Sequence, residues 1–199
     1  TGLCISLKEI EEIAKTNPDN VVVIDEAYVD FGGESAAKLT EKYSNLLVVM
    51  TYSKSRSLAG ARLGFAIANA ELIADLDRIR NSTNPYNVNR LTQIAGIKAI
   101  EESDYYKANC QKIIEAREYT KRELKSLGFD YTDSKANFIF AKSPDIGGEE
   151  LYLKLKDKGI LVRHFNDERI CEYIRVSIGT LSDMEQFVGV VKEILNEKS

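Results

Sequence analysis

The chain lacks any apolar stretch near the ~20 residues that a membrane-spanning helix requires, and its opening residues carry no signal-peptide pattern. It has three cysteines in 199 residues. Cys4, Cys110 and Cys171 are odd in number, widely separated and without metal-ligand spacing, so reduced thiols are expected rather than disulfides or zinc. A single histidine, His164, reads as a surface or packed imidazole rather than as a catalytic base. There is no excess of basic charge either: the formal net charge is -4, which argues against an extended nucleic-acid surface. No internal repeat or low-complexity linker interrupts the chain, and no G-x-x-x-x-G-K-[ST] phosphate loop occurs in it. A hydrophobic content of 44% suits a soluble globular core, with the cytoplasm as the expected compartment. The length fits one large domain or two small ones.

What is present is concentrated in two segments. Thr51-Tyr-Ser-Lys54 leads through a loop containing Gly60 to Arg62-Leu-Gly-Phe65. Hydroxyls at Thr51 and Ser53, with Arg62 beyond the loop, can hold a phosphate dianion, because the planar guanidinium fork offers paired donors that an ammonium cannot. The Lys54 amine is then free for covalent chemistry. Upstream, Val21-Val-Val-Ile24 runs directly into Asp25-Glu-Ala-Tyr28, the pattern of a buried parallel strand ending in a polar site. Ligands of open α/β sheets sit beyond the carboxyl ends of strands, where Asp25 and Tyr28 emerge. A carboxylate placed there can keep a heterocyclic nitrogen protonated. Lysine, phosphate cup and strand-end Asp together describe a pyridoxal phosphate site.

Other readings exist for each residue. Asp25-Glu26 also fits the metal-binding carboxylate of a nucleotide hydrolase, although that class needs the missing phosphate loop and leaves Lys54 unexplained. Tyr28 could be an ordinary core tyrosine. Arg175 alternates with Ile174 and Val176 and must leave the apolar face, as any exposed sheet arginine would, and Arg163 shares that ambiguity.

Helix and strand signals alternate along the chain. Ser6 with Glu9 forms a capping box ahead of a short helix. Leu46–Met50 reads as a second buried strand and 62–68 as a third, at the edge of a mixed or parallel sheet. Helices are expected over 71–80, 88–100 and, capped by Ser103, up to Leu127, where Gly128 ends the last. The remainder reads as an α+β unit: strands at 137–141, 160–163 and 173–178, a helix over 149–158 closed by Gly159, and a last helix capped by Ser182 with Glu185.

In these segments the chain resembles the fold-type I pyridoxal phosphate enzymes, and among them the histidinol-phosphate aminotransferase family. Pro85-Tyr-Asn-Val-Asn89, Ala136-Asn-Phe138, Gly159-Ile-Leu-Val-Arg163-His-Phe and Tyr173-Ile-Arg175-Val-Ser-Ile-Gly-Thr180 match alongside the two segments above, in family order. The resemblance implies an α/β chain, the remnant of a large cofactor-binding domain over 1–102 followed by a small α+β domain over 103–199. It implies that Lys54 carries pyridoxal 5'-phosphate and moves the proton, that Asp25, Tyr28, Thr51, Ser53 and Arg62 hold that cofactor, and that Arg163 and Arg175 hold the anionic end of the substrate. It leaves Asn89 and Asn137 without a firm role. The implied substrates are L-histidinol phosphate and 2-oxoglutarate, exchanging with imidazole-acetol phosphate and glutamate in histidine biosynthesis, in a homodimer. The family's Asn-Pro-x-x-Pro-Thr-Gly stretch does not occur, so the chain is expected to be the C-terminal part of a longer enzyme and inactive in isolation. Rival expectations are another enzyme of the same fold, such as a threonine-phosphate decarboxylase, and a non-catalytic truncated module.

Overall fold

A computed structural model describes residues 1–197. It divides the chain into two compact units: Ile5–Asn109, and Thr1–Cys4 together with Cys110–Ser199.

In the first unit, α1 (Leu7–Thr16) starts at the anticipated capping box, with Ser6 accepting from the Glu9 amide and the Glu9 carboxylate accepting from the Ser6 amide at 2.7 Å. β1 (Val22–Asp25) and β2 (Leu46–Thr51) pair in parallel, and β3 (Gly64–Ile67) joins β2 antiparallel, giving a mixed sheet in the order β1-β2-β3. Ile10 of α1, Ala36, and Leu46 and Val48 of β2 form the core, with Val22 and Ile24 packed against it. β1 departs from the buried-strand expectation: its alternate residues face outward, and Val23 is 57% exposed. A continuous apolar run cannot distinguish a strand buried on both faces from one buried on a single face. The third strand is shorter than expected, because Arg62 occupies the left-handed region at φ 53° and the ladder starts only at Gly64. α2 (Ala70–Thr83) ends at Asn84, just before Pro85. α3 (Arg90–Glu101) is capped by the Asn89 side chain, which accepts from the Thr92 amide at 2.9 Å. Asn89 thus has a structural role that the sequence left open.

α4 (Ser103–Ser126) takes Ser103 as its first helical residue rather than as its cap. From Cys110 onward this helix belongs to the second unit, with α5 (Gly148–Asp157) and α6 (Leu181–Asn196). These helices cover one face of an antiparallel sheet in the order β4-β5-β7-β6, built from β4 (Asp130–Tyr131), β5 (Phe138–Lys142), β6 (Arg163–His164) and β7 (Ile174–Ser177). The core draws Ile139 and Ala141 from β5, Ile174 and Val176 from β7, and Leu124, Leu151, Val188 and Val191 from the helices. α6 corrects the expected cap. Thr180 and Asp183 form the capping box, two residues earlier than Ser182 and Glu185. β6 is confined to two residues, and β4 was not anticipated, being too short for periodicity to register. Among the described residues no helix is long and apolar enough to cross a membrane.

Candidate active site

The parallel β1–β2 pair sets out the first constellation. Asp25 is in register with Val49, two residues before Thr51, so Asp25 and Thr51 project from the same face at the carboxyl ends of adjacent strands. Asp25 is exposed, and its Oδ1 accepts from the Ala27 amide at 2.9 Å. That bond turns the chain out of the strand and orients the carboxylate, leaving its second oxygen unbonded among the described residues. Glu26 behaves differently. It is buried, accepting from Ser35 Oγ and the Ala36 amide, each at 2.6 Å. Its carboxylate anchors the following loop and is committed there, so Asp25-Glu26 does not act as a paired metal ligand.

The loop from Thr51 to Gly64 is closed at its base by the Tyr52 amide on the Leu63 carbonyl at 3.0 Å. Tyr52 itself is buried, with its ring edge-on to Phe65 at 5.7 Å. Thr51 Oγ1 donates to Ser53 Oγ at 2.9 Å and accepts from the Ser53 amide at 3.0 Å, which places the two hydroxyls side by side. Arg62 lies at the far end, its Nη1 donating to the Ala59 carbonyl at 3.1 Å. Two non-glycine residues of this loop, Ser57 and Arg62, hold positive φ values of 55° and 53°. Such backbone costs of order 1–3 kcal/mol per residue and survives where the surroundings over-determine it, commonly at functional loops. Gly64 is required where the loop rejoins the sheet, since a Cβ there would lie 2.8 Å from the Met50 carbonyl oxygen.

Lys54 is exposed within this loop, and its Nζ stands 5.5 Å from the Tyr28 ring centroid. Tyr28 is half-buried at the start of the turn after Asp25. All six residues expected around a cofactor, Asp25, Tyr28, Thr51, Ser53, Lys54 and Arg62, thus belong to one unit and one end of its sheet. The donor set fits a phosphorylated pyridine aldehyde: two hydroxyls and a guanidinium for the phosphate, an amine with no carboxylate within 4.0 Å among the described residues for the aldehyde, and a carboxylate for the ring nitrogen.

Arg163 and Arg175 form a second constellation in the other unit. They are register partners across β6 and β7. Their face of the sheet is the one opposite the helical core, since Arg175 pairs with Phe140 while Ile139 and Val176 point inward. Phe165 lies under both guanidinium groups, 5.5 Å from Arg163 and 5.9 Å from Arg175, and Phe138 lies 5.3 Å from Arg175. Neither arginine has a hydrogen bond or ion pair among the described residues. No buried side-chain nitrogen or oxygen is left unsatisfied there, so the half-buried Arg175 turns its free N–H groups to solvent. A groove of about 530 Å³ opens beside Arg163, between Tyr152, Val162, Phe165, Asp167 and Ile170.

Of the other residues in this unit, the sequence singled out His164 and Asn137 but not Arg117 or Lys121. His164 is held by Nε2 on the Cys171 carbonyl at 2.7 Å and stacks on Tyr152 at 6.0 Å, a packed imidazole. Asn137 uses its backbone carbonyl, which accepts from the Ile178 amide at 2.9 Å and prolongs the β5–β7 ladder. Arg117 of α4 is almost wholly buried and donates from Nη1 to the Ala136 carbonyl at 2.9 Å and from Nε to Glu118 at 3.0 Å. Lys121, one turn on, reaches Asp133 at 2.7 Å. A sequence signal existed for this pair, Arg and Lys four residues apart on an otherwise core-facing helix stripe.

The chain is similar to known proteins in sequence and fold. A histidinol-phosphate aminotransferase of Brachyspira hyodysenteriae is 57% identical over 196 residues, covering 98% of this chain and 55% of its own length. The crystal structure of the histidinol-phosphate aminotransferase from Clostridium acetobutylicum superimposes with a TM-score of 0.90 at 25% identity, over 99% of this chain and 61% of that one. The histidinol-phosphate aminotransferase from Sinorhizobium meliloti, in complex with pyridoxal-5'-phosphate, has the same fold at a TM-score of 0.86 and 22% identity, with coverage of 100% and 55%. The chain therefore spans little more than half the length of these proteins. The sequence model of aminotransferase class I and II matches residues 1–191, and the chain belongs to that family.

Proposed function

We propose that the protein to which this chain contributes is a pyridoxal phosphate-dependent histidinol-phosphate aminotransferase, exchanging an amino group between L-histidinol phosphate and 2-oxoglutarate. The observation that carries this reading is the Lys54 constellation: an exposed amine 5.5 Å from the Tyr28 ring, in a loop with paired hydroxyls and Arg62, at the end of the sheet where Asp25 emerges. Its setting in a chain 57% identical to a protein of that name supports this choice of substrate.

Thr51, Ser53 and Arg62 would hold the cofactor phosphate, Asp25 its pyridine nitrogen and Tyr28 its ring oxygen. When bound, pyridoxal phosphate supplies an electron sink for the carbon from which a proton is lost. Lys54 is the catalytic residue. Its free amine would take up the proton lost from the substrate carbon and hand it back later, serving first as base and then as acid. The negative charge of Asp25 would keep the cofactor's ring nitrogen protonated, with the bond from the Ala27 amide orienting the carboxylate. Arg163 and Arg175 receive the anionic end of the substrate through charge-assisted bonds. A cytoplasmic homodimer is part of the same reading and rests on the family resemblance; sedimentation of the protein as its gene encodes it tests the assembly.

The deciding assay incubates that protein with pyridoxal phosphate, histidinol phosphate and 2-oxoglutarate and measures glutamate. Release of carbon dioxide from threonine phosphate, without glutamate formation, would instead favour a decarboxylase of the same fold. A solved L-threonine-O-3-phosphate decarboxylase from Porphyromonas gingivalis shares that fold at a TM-score of 0.81.

A further inference from the structure

Two cations lie directly opposite each other on β6 and β7, where like charges repel. No carboxylate stands within 4.0 Å of either among the described residues, so repulsion is not relieved in the usual way. One side chain touches both. The Phe165 ring centroid is 5.5 Å from the Arg163 guanidinium and 5.9 Å from that of Arg175. The ring is itself fixed from behind, edge-on to Phe140 at 6.1 Å, and Phe140 is stacked on Tyr173 at 4.5 Å with an interplanar angle of 6°. Phe140 is buried, so this backing does not swing away.

We propose that Phe165 is the positioning residue that converts two mutually repelling arginines into a preorganised clamp for a phosphate monoester. The inference rests on the reading that Arg163 and Arg175 receive the substrate's anionic end. A ring attracts a guanidinium through its quadrupole and occupies no acceptor-seeking N–H. A carboxylate in the same place would neutralise the charge and consume the donors, and water would leave two long side chains free to diverge. With the ring beneath them, both guanidinium groups stay near one point with their donors unspent. A dianionic phosphate arriving there removes the repulsion and loses little to side-chain ordering. A monoanionic or neutral group gains much less, so the ring selects for the phosphorylated donor without touching it.

The test compares Phe165→Leu and Phe165→Trp in the protein as its gene encodes it, with kinetics for histidinol phosphate and for unphosphorylated histidinol. Two cation–ring contacts at a partly exposed site correspond to a factor of roughly 5 to 30 together. Phe165→Leu is therefore expected to raise KM for histidinol phosphate by that factor, with kcat and the histidinol KM within about twofold, and Phe165→Trp to restore the parent value. An unchanged KM, or equal rises for both donors, overturns the proposal. Arg163→Gln is measured alongside. If it raises the phosphorylated-donor KM and Phe165→Leu does not, the clamp reading stands and only the role of the ring fails; if it too has no effect, both fail. Should Phe165→Leu not fold, Phe165→Met replaces it, and loss of folding in both marks Phe165 as a structural wedge and refutes the proposal.

Discussion

Arg163 and Arg175 face each other across two antiparallel strands with no counter-ion in reach among the described residues, joined only through the ring of Phe165. Such a pair lowers stability relative to a neutral one by roughly 0.2–1 kcal/mol, a cost that the proposed anion site would account for. Replacing either with Gln is expected to leave the melting temperature unchanged or slightly higher. The same variants should raise KM for histidinol phosphate by about 10- to 150-fold, from roughly 1.5–3 kcal/mol per charge-assisted bond. Equal effects on phosphorylated and unphosphorylated donors would remove the assignment.

Borohydride reduction in the presence of pyridoxal phosphate, followed by peptide mapping, should place the pyridoxyl group on Lys54. Lys54→Ala should abolish transamination with circular dichroism unchanged, because the side chain is exposed and has no ion pair within 4.0 Å among the described residues. An adduct on a different lysine refutes the catalytic assignment.

Asp25→Asn keeps the shape and the hydrogen bond from Ala27 while removing the charge. Turnover at saturating cofactor is expected to fall by orders of magnitude, with cofactor affinity reduced less. Collapse of affinity with turnover retained would make Asp25 a binding group only.

Acid should loosen α1 from the first unit. Hydrogen bonds from Lys42 at 2.5 Å and Tyr43 at 2.7 Å hold the Glu11 carboxyl down to about 2. A carboxylate depressed in the folded state contributes stability that is complete above its unfolded value of about 4.3 and disappears as pH falls towards about 2. Asp133, lowered chiefly by its hydrogen bond from Lys121, adds to the loss in the second unit. Urea midpoints measured from pH 6 down to 2.5 should decline over that window, and Glu11→Gln should flatten the decline. A parallel decline in the variant would show that other groups govern it.

Arg117→Met takes the guanidinium donor from the Ala136 carbonyl and leaves Glu118 with Lys121. The expected cost is about 1–3 kcal/mol by chemical denaturation, the range for leaving a buried hydrogen-bonding group unsatisfied, since Glu118 itself is partly exposed. A change below about 1 kcal/mol would mean that Lys121 or water takes over the bonds.

Local chemistry explains what could be read directly. The capping box at Ser6 and Glu9, the stop at Asn84-Pro85 and the strand that delivers Asp25 depend on residues within a few positions of one another. The grouping of Asp25 with Lys54 was legible for a related reason, since parallel strands expose their carboxyl ends on one side. The cap of α6 was not, because Thr180/Asp183 and Ser182/Glu185 both fit the pattern, and the β7 ladder running to Ile178 decides between them.

By itself the sequence determined the chemistry available: a lysine, paired hydroxyls and an arginine on one loop, a carboxylate at a strand end, and two arginines on alternating strands. Spacing along the chain conveys residue type, periodicity and local hydrogen bonding. Only the tertiary structure decided that Glu26 turns inward to Ser35, that β1 exposes Val23, and that Arg163 sits opposite Arg175 over Phe165. Each depends on segments brought together by burying a common core, and in the strands a register shift of one residue would send Val23, Arg163 or Arg175 to the other face.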